Sequence, residues 1–144
     1  MKTHLNLATR DLDRSVVFYS SLLNAQPAKV LSDYALFITE EPSLELALNL
    51  RNQVALTLDA HFGIFVESTD DVDTAIARLE SAGLAESIER EDTCCYANQT
   101  KVWTTDPDGR RWEVYTVHAD TEERDTESTV CCLTESGDGR SCCP

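Results

Sequence analysis

Residues 60–83, "AHFGIFVESTDDVDTAIARLESAG", change hydrophobic period part-way, and that change decides the fold. "AHFGIFV" reads as a strand, with His61, Gly63 and Phe65 sharing one face. "DDVDTAIARLESAG" then takes up helical spacing and closes at Gly83, a residue suited to the left-handed turn after a helix. The same succession occurs once before. "KTHLNLA" (2–8) alternates, with His4, Asn6 and Ala8 on one side and Leu5 and Leu7 on the other. "DLDRSVVFYSSLL" follows, placing Leu12, Val16, Tyr19 and Leu23 on a helical stripe behind an acidic start that suits the helix dipole.

Working outward, three short strands are predicted after Pro27, near 28–31, 34–40 and 44–50, and three more after Gly83, near 86–90, 100–105 and 110–117. "DPDG" (106–109) has proline and glycine where a tight turn wants them, so the last two strands form a hairpin. Each half reads βαβββ. His4 matches His61 at the first strand, and Asp11–Leu12–Asp13 matches Asp71–Val72–Asp73 at the helix start. The expectation is an α+β domain, residues 1–118, made of two tandem βαβββ modules (about 1–57 and 58–118) that form a curved sheet around a metal cavity. Residues 119–144 lose periodicity and hold seven acidic against two basic residues; they read as a flexible acidic tail carrying Cys131, Cys132, Cys142 and Cys143.

With 144 residues, 42% of them hydrophobic and 26% charged, the chain suits one soluble domain. No apolar run approaches the roughly 18 residues of a membrane span, and the start "MKTHLNLATRD" lacks the apolar core of a signal peptide, so a cytoplasmic protein with no membrane partner is expected. A formal charge of −14 repels phosphate backbones and argues against nucleic acid.

Strand parity brings out the chemistry. Glu113 shares a face with Arg111 and Tyr115 on the last strand, and first and last strands of paired modules can line one cavity. His4, His61 and Glu113 would then converge as two imidazoles and a carboxylate, the facial set that non-haem Fe(II) oxygenases use. Against this stand plainer readings: strand histidines held by ordinary hydrogen bonds, and a glutamate on the exposed face of an edge strand. Glu45, in "SLELALN", ranks below the three as a fourth ligand or a partner of one, and His118 reads as solvated.

The six cysteines form three adjacent pairs, which fits neither a disulfide framework nor the spacing of a zinc knuckle, and free thiols are expected. Neighbouring side chains on a regular strand diverge, so Cys94 and Cys95 can grip one atom only if "DTCCYAN" is an irregular loop. Converging thiolates suit a soft centre such as trivalent arsenic. The plainer reading is two incidental small cysteines. Glu91 and Asp92, just upstream, would disfavour ready-made thiolates there.

On these residues the chain resembles the vicinal oxygen chelate superfamily (glyoxalase, fosfomycin-resistance and extradiol dioxygenase proteins). "TCCYANQTKVWTTDPDGRRWEVYTV", "NQVALTLDAHFGIFV" and "FYSSLLNAQPAKV" are similar to its branch of carbon–arsenic lyases and cadmium-induced proteins, and the likeness covers about residues 1–118. It implies a non-haem Fe(II)-dependent dioxygenase that cleaves the carbon–arsenic bond of trivalent organoarsenicals such as methylarsenite, releasing arsenite in organoarsenical detoxification. Iron, or another divalent metal in vitro, would sit on His4, His61 and Glu113; Cys94 and Cys95 would hold the arsenic on a mobile loop; dioxygen would be the second substrate. A homodimer is compatible with it. The alternatives are a soft-metal or arsenite sequestrant that needs only thiols, and a glyoxalase-like lyase or thiol transferase in which the cysteine pair is incidental.

Overall fold

The computed structural model describes residues 1–56, 60–122 and 124. The tail cysteines Cys131, Cys132, Cys142 and Cys143, and the expected tail beyond Arg124, lie outside the described residues. In chain order the elements are β1 (Thr3–Thr9), α1 (Leu12–Leu23), β2 (Lys29–Val30), β3 (Tyr34–Thr39) and β4 (Leu44–Leu50), then β5 (His61–Phe65), α2 (Thr69–Ser81), β6 (Ser87–Cys94), β7 (Ala97–Thr105) and β8 (Arg111–Asp120). Each half is βαβββ. Within each, the first strand runs parallel to the last, giving sheets of order β1-β4-β3-β2 and β5-β8-β7-β6. The eight strands form two four-stranded sheets, one per module, in the α+β plan of two tandem βαβββ modules that was expected.

Both helices start at side-chain caps. Asp11 accepts from the Arg14 amide and Ser68 from the Asp71 amide, satisfying donors that a helix start leaves open. Gly83 follows α2 at φ +69°, where a side chain would be strained. Leu12, Phe18, Tyr19, Leu22 and Leu23 of α1 are buried; so are Val72, Ala75, Ile76 and Leu79 of α2. The stripe of α1 thus turns on Phe18 and Leu22 more than on Val16, which is only partly buried. These helices cover one face of each sheet, meeting Ala35, Phe37, Leu46 and Leu48 in the first module and Val102, Trp112 and Val114 in the second, all in one continuous core.

Among the described residues the modules are fastened by Arg78 of α2, which donates to the Ser21 and Leu22 carbonyls of α1 (2.7 and 3.2 Å), by aromatic packing and by the "DPDG" turn. Tyr19 of α1 meets Trp112 of β8 edge-on at 5.7 Å, and Trp112 stacks on Phe62 at 4.8 Å. Beside them, the "DPDG" turn does more than reverse the chain. Asp106 accepts from the Tyr19 hydroxyl (2.7 Å) and Arg110 (2.9 Å), Asp108 accepts from Arg10 Nε (3.0 Å), and Arg110 reaches the Ala8 carbonyl (2.7 Å). Burial, then the Asp106 carboxylate, pushes the Tyr19 hydroxyl pKa far above its usual value, so it remains a donor. No helix among the described residues is long and apolar enough to cross a membrane.

Candidate metal and thiol site

Alternation puts the helix-covered residues of each sheet on one face and leaves the other face for polar groups. On the first sheet that open face carries His4, Asn6 and Ala8 of β1 beside Glu45, Ala47 and Asn49 of β4. His4 Nδ1 lies 3.5 Å from Glu45 Oε1, and Asn49 donates to Asn6 at 2.8 Å. On the second sheet, His61, Gly63 and Phe65 of β5 lie beside Arg111, Glu113 and Tyr115 of β8. His61 Nε2 is 3.4 Å from Glu113 Oε1. Two of the three expected ligands are thus brought together, while His4 sits with Glu45 on the other sheet. Among the described residues, no three His, Cys, Asp or Glu side chains gather closely enough to hold one ion.

Register also refines the place of Glu45. It pairs with His4 as Arg111 pairs with His61, so the residue equivalent to Glu113 is Ala47, two positions further along β4.

Glu113 does not fit the plainer reading of an edge-strand carboxylate. β8 lies between β5 and β7, and Glu113 is only 7% exposed. Its Oε2 is buried with no hydrogen-bond partner. A carboxylate oxygen left so in a protein interior is costly unless a cation offsets it, and the Lys101 ammonium, 3.4 Å from Oε2, supplies that charge while leaving Oε1 toward His61. Gly63 makes the room: a Cβ there would come within 2.9 Å of the Tyr115 ring and 3.3 Å of Glu113 Oε1. An imidazole nitrogen and a carboxylate oxygen about 3 Å apart suit neighbouring ligands of one divalent ion bound at about 2.0–2.2 Å. The donors at His61 and Glu113 therefore fit a divalent metal.

Lys101, from β7, lies against this carboxylate and was not singled out by sequence. It is 3% exposed, with Nζ 3.4 Å from Glu113 Oε2, 3.8 Å from Glu89 Oε2 and 5.3 Å from the Trp103 ring centre. Burial by itself would lower the Lys101 pKa, but the electrostatic influence of Glu113, then of Cys94 and Glu89, outweighs it and holds the pKa above the usual lysine value. Burial raises Glu89, which Lys101 and the Trp103 indole (3.0 Å) only partly offset. Arg111 stacks on the other part of this aromatic platform, 4.2 Å from the Trp103 ring centre. The available signal was parity: Gln99, Lys101 and Trp103 alternate on the same face of β7.

The thiols stand at the end of the same hairpin. "DTCCYAN" is not a long loop: Cys94 ends β6, Ala97 begins β7, and only Cys95 and Tyr96 turn the chain, at φ 57° and 66°. Two successive left-handed residues are the signature of a tight two-residue hairpin. That turn breaks strand alternation and brings the two Sγ atoms to 3.1 Å. Cys94 is buried and contributes to the field at Lys101, so thiol, ammonium and the Glu113 carboxylate occupy one neighbourhood. Cys95 corrects the expectation of free thiols. It is disulfide-bonded, and it lies exposed at the turn tip. Tyr96 is tied to the chain beyond β8 by Thr121, whose amide donates to its carbonyl at 2.8 Å. His118 is exposed, as read, with Nε2 2.8 Å from the Thr100 hydroxyl.

This pairing of modules has counterparts. The sequence profile of the Glyoxalase/Bleomycin resistance protein/Dioxygenase superfamily matches residues 3–114. The chain belongs to that superfamily. Among its members, the trivalent organoarsenical cleaving enzyme of Bacillus sp. (strain MD1) is 42% identical over 97% of this chain and 88% of its own length. A protein of the same name from Thermomonospora curvata is 41% identical over 99% of both chains. The cadmium-induced protein CadI of Mycobacterium bovis is 43% identical over 91% of this chain and 92% of its own. A superfamily crystal structure from Alicyclobacillus acidocaldarius shares the fold with TM-score 0.67 and 18% identity, covering 83% of this chain and 92% of its own.

Proposed function

We propose that this superfamily member is a carbon–arsenic lyase of the non-haem Fe(II) dioxygenase class, releasing arsenite from trivalent organoarsenicals such as methylarsenite. The observation that carries the reading is the meeting of two Sγ atoms 3.1 Å apart on the hairpin whose β7 strand holds Lys101 against Glu113. A soft two-sulfur grip thus adjoins a nitrogen–oxygen half-site suited to a divalent ion. Relatives at 41–42% identity that are named organoarsenical cleaving enzymes support the same reading.

His61 and Glu113, with His4 as third donor, would hold the metal. When bound there, Fe(II) supplies the redox chemistry toward dioxygen that these side chains lack. The chain's own part is placement. Cys94 and Cys95 fix the arsenic, and with it the bond to be broken; orientation of this kind accounts for much of an enzyme's rate. Because a thiol engaged in a disulfide cannot ligate arsenic, Cys95 must be reduced before substrate binds. Lys101 supplies positive charge beside both the thiol and the carboxylate. Trp103, edge-on to His61 at 5.2 Å, helps to fix the ring that would face the ion.

The test is to load reduced protein with Fe(II) anaerobically, add methylarsenite in air and measure arsenite. Cys94→Ala should abolish arsenical binding, and Glu113→Ala should lose iron and turnover. Arsenic binding without turnover, undiminished by Glu113→Ala, would instead indicate a sequestering protein. Turnover retained in Cys94→Ala would indicate a glyoxalase-like lyase.

A further inference from the structure

The open face of the second sheet has an order along its strands. Cys94 pairs with Ala97 at the closed end of the β6–β7 hairpin, Lys101 follows on β7, and Trp103 pairs with Glu113 of β8. Arg111 comes next on the same face of β8, paired with His61. The thiols and Arg111 therefore lie on opposite sides of the carboxylate that would hold the metal.

Arg111 differs from most arginines of this chain. Arg10, Arg78, Arg90 and Arg110 each hold a carboxylate or a carbonyl oxygen. The Arg111 guanidinium lies instead over the Trp103 ring, 4.2 Å from its centre, and among the described residues it makes no ion pair and no hydrogen bond. With 26 acidic against 12 basic residues in the chain, a carboxylate partner was easily supplied. A ring beneath a guanidinium steadies it and leaves its N–H donors unused. Those donors form a fixed fork that matches the two oxygens of a carboxylate.

From this, and resting on the reaction proposed above, we infer that Arg111 selects the organic group of the substrate, and that the preferred class is aryl arsenicals with an acidic substituent on the ring carbon opposite arsenic. With arsenic on the thiol side and its carbon at the divalent ion, the rest of the organic group extends toward Arg111. That residue stands about 7 Å beyond Glu113 along the strand, within the reach of one aromatic ring and its para substituent. A methyl group ends short of it. An anionic group held there also offsets the repulsion between the guanidinium and an ion on His61 and Glu113.

The test compares three trivalent arsenicals on reduced, Fe(II)-loaded protein: phenylarsenite, 4-carboxyphenylarsenite and the neutral methyl ester of the latter. Wild type should release arsenite from the carboxylate with kcat/KM about tenfold or more above the other two, the factor that one charge-assisted contact supplies. The difference should lie in KM, since the contact is made equally before and during bond cleavage. In Arg111→Met the ratio should fall to near one, whatever change in rate is common to all three, and Arg111→Lys should keep part of it. Equilibrium binding without dioxygen, read by quenching of tryptophan fluorescence, should show the same order of affinities.

Equal kcat/KM and equal affinity for carboxylate and ester in wild type, or a preference that survives in Arg111→Met, would overturn the role of Arg111, while release of arsenite from phenylarsenite would still uphold the reaction. Preferential binding of the carboxylate, lost in Arg111→Met, with no arsenite from any of the three would uphold Arg111 and remove the reaction. Neither binding nor release would overturn both.

Discussion

At the scale of single residues, the second-module face is organised around a carboxylate that a neighbouring glycine admits and a buried lysine neutralises. Gly63 is needed for the space its missing Cβ leaves, since a methyl there would meet the Tyr115 ring at 2.9 Å. Gly63→Ala should therefore displace Glu113 or Tyr115 and weaken divalent-metal binding at least tenfold, measured by anaerobic titration, while circular dichroism stays unchanged. Lys101 faces Glu113 and Glu89, both with a buried Oε2. Lys101→Met removes the cation and leaves two buried carboxylates, which should cost about 3–5 kcal/mol in the metal-free protein. A bound divalent ion returns part of that charge. Calorimetry should accordingly show a larger metal-induced rise in Tm for Lys101→Met than for wild type; an equal rise would count against Glu113 as a ligand.

At the scale of elements, two hairpin ends do the joining. The turn at Cys95 and Tyr96 converts strand alternation into a pair of convergent sulfurs. If it also admits and releases substrate, its amides should exchange freely in the reduced protein and gain protection with methylarsenite; unchanged exchange would argue against such gating. The turn at 106–109 joins the modules. Hydrogen bonds from Thr9 and Arg10, together with the Arg110 charge, outweigh the burial that would raise Asp108 and hold its pKa below the usual aspartate value. The sign follows from linkage: a depressed folded pKa gives stability that is present above the ordinary value near 3.8 and is lost as pH falls through the folded one. Asp108→Asn should lower stability at pH 7 and flatten its decline below about pH 4, as urea melts across that range would show.

For the molecule as a whole, the length of the last strand has consequences for the site. β8 runs to Asp120, past the module end expected at 118; Ala119 and Asp120 pair with Asn98 and Ala97, and Thr121 bonds to Tyr96. Truncation after Arg124 should keep iron binding and most activity. Truncation after His118 should remove the backbone that holds the thiol turn and weaken arsenical binding severalfold, read by quenching of tryptophan fluorescence.

The amino-acid order by itself determined the doubled βαβββ plan, the strand faces of His4, His61 and Glu113, and the adjacency of Cys94 and Cys95, because period and parity are local properties of a chain. It could not show that Lys101 is the buried counter-charge of Glu113, because that contact depends on the pairing of β7 with β8. Nor could it show that the carboxylates of "DPDG" fasten one module to the other across some ninety-eight residues. Only the tertiary structure decided which histidine stands beside which carboxylate. That grouping is fixed by the parallel pairing of β1 with β4 and of β5 with β8, a register between segments distant in sequence that no single segment sets alone.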